Sequence, residues 1–212
     1  MSSVRTKKKI LDASLELFNQ HGLANVRLQM IADKSGISIG NLAYHFKNKE
    51  AIIKEISLRL QDEFLDILAL YKKRNDFLDF DNQLDGLYNF VIKNPYYFLD
   101  ALEIRRNFPE VPVFKRNCTE KLLYQIINRF NSGVARGTIK PEIIKGYYTE
   151  FALSIWTYIV LLVPTCGILN QNVPELRDFK KHIWLQFLPF LTREGKSEFN
   201  ILINPIIDIE AE

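Results

Sequence analysis

Residues 28–50, LQMIADKSGISIGNLAYHFKNKE, leave the backbone few paths. Leu28, Ile31 and Ala32 share one face of a short helix predicted over Leu28–Ser35. Gly36 stands where that helix must stop, because glycine enters the left-handed conformation without a Cβ penalty. Ile37 plugs the corner, and Ser38 caps the next helix by accepting from a free backbone N–H. That second helix, predicted over Ile39–Phe46, buries Leu42 and Phe46 at i, i+4 spacing and turns Ile39, Asn41, Tyr44 and His45 elsewhere. Two short helices about a glycine turn, polar and aromatic on the outer side, form the layout of a DNA-reading helix-turn-helix.

The rest of the chain is helical in period throughout. Helix 1 is predicted over Arg5–His21, with Ile10, Leu11, Ala13, Leu15, Leu17 and Phe18 in its apolar stripe, and Asn25 is the expected cap of the second helix. A long helix is predicted from Lys49 to Lys73, followed by an acidic loop over 75–82. Further helices are predicted over Gln83–Lys93, Pro95–Asn107, Val113–Val134, Glu142–Leu162 and Pro174–Arg193. The tail from Lys196, apolar and then acidic, has no assignment. No alternating strand pattern or internal repeat is present, so the fold class is all-α, with a head over 1–48 and a helical body over 49–212.

Charge separates these two parts. Residues 1–50 hold eight Lys/Arg against four acids, whereas the remainder holds 20 basic and 21 acidic residues. A basic head on a near-neutral body fits a polyanion-binding module joined to something else. Cys118 and Cys166 form no metal-ligand spacing, which favours a reduced, cytoplasmic protein without a metal or other cofactor and leaves a single disulfide as the alternative. The basic start runs directly into an amphipathic helix and does not read as a signal peptide. Leu153–Asn170 is free of charge but is shorter than the roughly 20 apolar residues of a membrane span, and Pro164 and Gly167 interrupt it. It reads as a helix buried on nearly all sides, within the protein or against a partner subunit, and not as a membrane segment. The acids Asp76, Asp79, Asp81 and Asp85 lack the glycine and closing glutamate of a calcium loop and read as a solvated cluster.

The run FNQHG followed by IADKSGISIGNLAYHFKNKEAI resembles the DNA-binding head of the TetR family of bacterial repressors over roughly residues 5–55. Gly36, Ser38, Gly40, Leu42, Tyr44, His45, Phe46 and Lys49 carry that resemblance. It implies a homodimer whose variable helical body binds a small molecule. The chain departs from the family at Val26-Arg27, where a Thr-Thr pair is common, and at Ala43, where a tyrosine is common. Arg27 then replaces hydroxyl contacts to phosphate.

On this reading Arg27, Lys47, Lys49 and the arm Arg5–Lys9 meet phosphates of double-stranded DNA, Tyr44 reaches either a phosphate or a base, and His45 either joins these contacts or caps the helix end. Lys49 offers one phosphate both its ammonium and the free N–H groups of a helix start. Base reading falls to the helix from Ser38: Asn41 pairs with adenine, Ile39 meets a thymine methyl, and Gly40 lets the backbone approach closely. A twofold dimer calls for a palindromic operator with half-sites about 34–36 Å apart or a multiple of that.

In the body, Phe98, Leu102, Arg105, Phe108, Tyr148 and Trp156 are candidates to line the site of an apolar or amphipathic effector, with Arg105 facing either an acidic ligand or an internal ion pair. Ile155, Ile159, Leu162, Phe179, Ile183, Trp184, Phe187 and Leu191 are the expected dimer interface, a four-helix bundle from the last two strong helices of each copy. No nucleophile–base pair or phosphate loop supports catalysis, so the chain does not read as an enzyme. The leading reading is a homodimeric repressor released by a small molecule. The sequence leaves open an activator, a ligand-independent regulator, and a small-molecule-binding protein with a vestigial head.

Overall fold

The computed structural model describes residues 3–70, 76–111 and 116–207. In chain order the helices are α1 (Ser3–His21), α2 (Leu28–Lys34), α3 (Ile39–His45), α4 (Lys49–Leu70), α5 (Phe77–Lys93), α6 (Pro95–Leu99) and α7 (Ala101–Asn107). They continue as α8 (Arg116–Ala135), α9 (Tyr147–Ile168), α10 (Leu176–Phe187), α11 (Arg193–Leu202) and α12 (Asn204–Ile207). The described residues contain no β-strand, only an isolated bridge between Ile139 and Leu191. The fold is all-α, with a helix-turn-helix over α2 and α3.

The chain divides into two compact units. Unit 1 is Met1–Glu63 with Lys93–Lys115, and unit 2 is Phe64–Ile92 with Arg116–Glu212. Unit 1 packs around α1, whose Ile10, Leu11, Ala13, Leu17 and Phe18 are buried as its period requires. Leu23, Val26, Ile31, Leu42, Ile52, Ile53 and Ile56 complete its aliphatic core. The short α6 joins this unit through Tyr96, whose ring lies 5.4 Å from that of Phe18. Asn19 fixes the same junction from both ends: its amide donates to the Lys93 carbonyl (3.0 Å), and its oxygen accepts from the Tyr96 N–H (3.3 Å).

Unit 2 has an aromatic centre. Phe130 of α8 meets Tyr148 (4.5 Å between ring centroids), Phe151 (5.2 Å), Phe187 (5.0 Å) and Phe190 (5.1 Å). Trp184 of α10 packs on Phe77, Phe80 and Phe199. Between these rings lies a set of buried charges. Asp81 accepts from Lys180 Nζ (2.8 Å) and from Trp184 Nε1 (2.9 Å), Lys180 also pairs with Asp85, and Arg129 pairs with Asp79 at 2.9 Å.

That network corrects the reading of the acidic residues as a solvated cluster. The acidic loop predicted over 75–82 is, from Phe77 onward, the first turns of α5, with Phe77, Phe80 and Asp81 turned inward. Asp81 and Asp85, four residues apart on α5, both meet Lys180, while Asp79 meets Arg129. The helix predicted from Glu142 starts instead at Tyr147, because the Glu142 carboxylate accepts from the backbone N–H groups of Gly146 and Tyr148 and caps that end. It then runs through Pro164 to Ile168. The unassigned tail forms α11, capped by Thr192, and α12, and it buries Phe199, Ile203 and Ile207. At Gly195 the chain passes so near residue 138 that a Cβ would stand 1.9 Å from the Thr138 carbonyl oxygen. Both cysteines are free.

Candidate nucleic-acid interface

The turn at 28–50 is built as its residues require. Gly36 takes φ +60°, its N–H donates to the Asp33 carbonyl (3.0 Å), and the Ile37 N–H donates to Ala32 (3.1 Å). Ser38 Oγ accepts from the Asn41 N–H at 3.1 Å, capping α3. Leu42 and Phe46 are buried, so the opposite side of α3 faces solvent. Tyr44 is 81% exposed and Ile39 44%, and Ser38, Gly40, Asn41 and Ala43 are exposed beside them. The His45 ring stands edge-on to Tyr44 at 5.2 Å and is half-buried. Arg27 occupies the N-cap position of α2 with extended backbone, makes no side-chain cap bond, and is exposed, as is Lys47. Asn25 does not cap α2: its amide donates back to the His21 carbonyl and closes the end of α1.

Two cations depart from expectation. Lys49 Nζ donates to the Leu23 carbonyl and stands 5.8 Å over the Phe18 ring. Its ammonium is therefore turned inward in the free chain, not outward to a phosphate. Burial lowers its pKa, and the carboxylates of Glu103 and Asp100 work against that shift. Asn48, which sequence reasoning missed, caps α4 by accepting from the Ala51 N–H (2.9 Å). In the arm, Lys7 pairs with Glu55 (3.1 Å), while Arg5, Lys8 and Lys9 stay exposed around an open cleft beside Asp12.

The arrangement is an exposed short helix on a buried two-residue anchor. The family model described as "Bacterial regulatory proteins, tetR family" matches residues 10–56, which contain all of it. The crystal structure of a TetR-family transcriptional regulator from Marinobacter aquaeolei VT8 superposes with a TM-score of 0.80 at 25% identity, covering 94% of this chain and 98% of that one. Residues 10–56 thus match the DNA-binding head of that family, and the chain as a whole is similar in fold to the Marinobacter regulator. The HTH-type transcriptional regulator RutR of Escherichia coli K12 is 34% identical over 104 residues, 49% of this chain and 43% of RutR. This chain thus matches less than half the length of RutR. The HTH-type transcriptional regulator UidR of the same strain is 26% identical over 161 residues, 74% of this chain and 80% of UidR.

The body residues singled out from sequence sit differently from expectation. Leu102 is 66% exposed and Arg105 is exposed on α7, so no apolar pocket encloses that guanidinium. Phe98 is buried in unit 1 and Phe108 half-buried at the end of α7. Tyr148 and Trp156 belong to unit 2 and serve its core: the Tyr148 hydroxyl donates to the Lys140 carbonyl (2.5 Å), and Trp156 packs edge-on to Phe64 at 5.8 Å.

Ile155, Ile159, Leu162, Phe179, Ile183, Trp184, Phe187 and Leu191 are all buried within the single chain. They form its own core and not an outer surface. The strongest apolar stripe of a helix packs first against its own chain, and the face left over is weaker in pattern. On α9 that face is Leu153, Thr157, Leu161, Thr165 and Ile168, and on α10 it includes His182 and Leu185. The charge-free stretch therefore buries one side of α9 and not nearly all of it. An open cleft of about 400 Å³ in unit 2 borders the same face, with Thr157, Tyr158, Leu161, Thr165, Cys166 and Asn172 in its lining.

Proposed function

We propose that this chain is a DNA-binding transcriptional regulator, with residues 1–48 as the DNA-binding module and 49–212 as the ligand-binding and dimerisation part. The observation that carries the reading is the outward side of α3, where Ile39, Asn41 and Tyr44 stand exposed over the buried Leu42 and Phe46. α3 enters the major groove, Asn41 reads adenine, and Ile39 meets a thymine methyl. Arg27, Ser38, Tyr44, His45 and Lys47 set the position on phosphates, with Gly40 admitting the backbone.

The regulator acts as a homodimeric repressor on a palindromic operator. The second copy packs on the outer faces of α9 and α10, where Leu153, Leu161, Ile168 and Leu185 remain exposed in one chain. The effector is a small, uncharged, partly apolar molecule held in the 400 Å³ cleft, whose walls supply hydroxyls and amides but no charged side chain. Because the cleft opens on the dimer face, the second copy roofs it. Effector binding then alters DNA affinity only through unequal affinity for the two states.

The test is selection of duplexes from a random-sequence library by the full-length protein, followed by binding at several salt concentrations. The expected outcome is enrichment of a palindrome bound as a dimer, with affinity falling steeply as salt rises. Failure to enrich any sequence, or salt-independent binding, would sink the reading.

A further inference from the structure

The inward Lys49 is held by a constellation that the DNA-binding reading does not use. Residue 23, in the turn after α1, is gripped on both sides: its carbonyl accepts from Lys49 Nζ, and its N–H donates to Asp100 Oδ2 at 2.7 Å. Asp100 is the hinge residue between α6 and α7, since its N–H donates to Tyr96 and its carbonyl accepts from Ile104 (both 2.8 Å). Glu103 follows in the first turn of α7. These two acids oppose the burial that disfavours the Lys49 cation. All of these groups lie in unit 1, although Asp100 and Glu103 are far from the turn motif in sequence.

Lys49 is also the first residue of α4, three residues after Phe46, which closes α3. Its ammonium can make one strong set of contacts at a time. A phosphate oxygen carries a full charge and forms a stronger hydrogen bond than a neutral carbonyl, but reaching it means leaving the Leu23 carbonyl, the Phe18 ring and the field of two carboxylates. We propose that Asp100 and Glu103 hold Lys49 on the Leu23 carbonyl and so compete with DNA phosphate for it, which makes the α6–α7 junction a brake on docking. On DNA, Lys49 swings out to a phosphate and the two acids lose their cation. Asp100 and Glu103 are positioning residues that act through Lys49 without touching DNA. Any displacement of the α6–α7 junction that weakens their hold raises DNA affinity. The inference rests on the DNA-binding reading above.

The test is a double-mutant cycle on a duplex enriched by the wild-type protein, with affinity measured across a salt series. Glu103→Gln is chosen because Glu103 is half-buried and makes no bond to residue 23, whereas Asp100 also supports the turn. Glu103→Gln should bind several-fold tighter with an unchanged salt slope. Lys49→Met should bind more weakly and lower the slope by about 0.9, one phosphate contact. In the Lys49→Met background, Glu103→Gln should give no gain. Glu110→Gln, which removes an exposed acid of the same unit, should give less than Glu103→Gln and the same small effect in both backgrounds. Circular dichroism and unfolding midpoints check folding, with Lys49→Gln replacing Lys49→Met if the latter fails. Equal Glu103→Gln gains in both backgrounds, gains no larger than that of Glu110→Gln, or an unchanged slope for Lys49→Met would each overturn this inference alone. A library with no enriched duplex would overturn the DNA-binding reading and this inference with it.

Discussion

The two units place their charges in opposite ways. In unit 1 the ion pairs are at the surface: Arg59–Asp12 has side chains 45% and 47% exposed, and Lys34–Glu16 has 40% and 49%. In unit 2 two described pairs are inside, with Lys180 and Asp81 at 5% and 1%, and Arg129 and Asp79 at 5% and 11%. Exposed pairs are screened and contribute little. Buried pairs have lost their water, so removing one partner strands the other. The difference shows why a mostly aliphatic core suffices for a unit whose ion pairs face outward, while the larger unit is locked in register by a few polar contacts among many interchangeable rings.

The sharpest way to break this contrast is Asp81→Ala. It leaves Lys180 and the Trp184 N–H without their shared carboxylate, and should destabilise by about 3–5 kcal/mol, read as a lowered denaturant midpoint. Gly195→Ala drives a methyl into the Thr138 carbonyl, and should cost about 1–3 kcal/mol through the forced backbone shift. On the DNA side, Asn41→Ala should leave the fold intact and lose about 1–3 kcal/mol of preference for the selected base over others. Arg27→Ala should weaken binding to all duplexes alike and reduce the salt slope by about 1. The smallest effect belongs to the exposed pair: Asp12→Asn should cost no more than about 1 kcal/mol. If Asp12→Asn and Asp81→Ala proved equal in unfolding, the distinction between the units would be empty.

Legibility in the sequence follows the same division. The turn at 28–50 was readable because its determinants are local: Gly36 stops a helix, Ser38 caps the next, and Leu42 and Phe46 mark the side that is buried. Gly40 illustrates the remaining logic. A Cβ there would meet only Ser38 Oγ at 4.0 Å, so nothing inside the chain demands a glycine. Partners distant in sequence were not readable. Nothing local to Asp81 announces Lys180, and nothing local to Leu23 announces Asp100. The apolar stripes of α9 and α10 were identified as stripes, but periodicity gives a face and not the identity of what covers it. Arg105 shares a helical stripe with Phe98 and Leu102 in sequence, yet the break at Asp100 separates α6 from α7 and leaves Leu102 and Arg105 in solvent.

Both tryptophans of the chain, Trp156 and Trp184, lie in unit 2. Unit 1 has none, so ultraviolet emission excited in the indole band reports on one unit while the other stays dark. Trp184, buried and hydrogen-bonded to Asp81, is an optical gauge of the charged core. Unfolding followed by emission and by far-ultraviolet circular dichroism should therefore coincide only if the two units melt together. An effector titration can be watched by emission without labelling the chain and without DNA present.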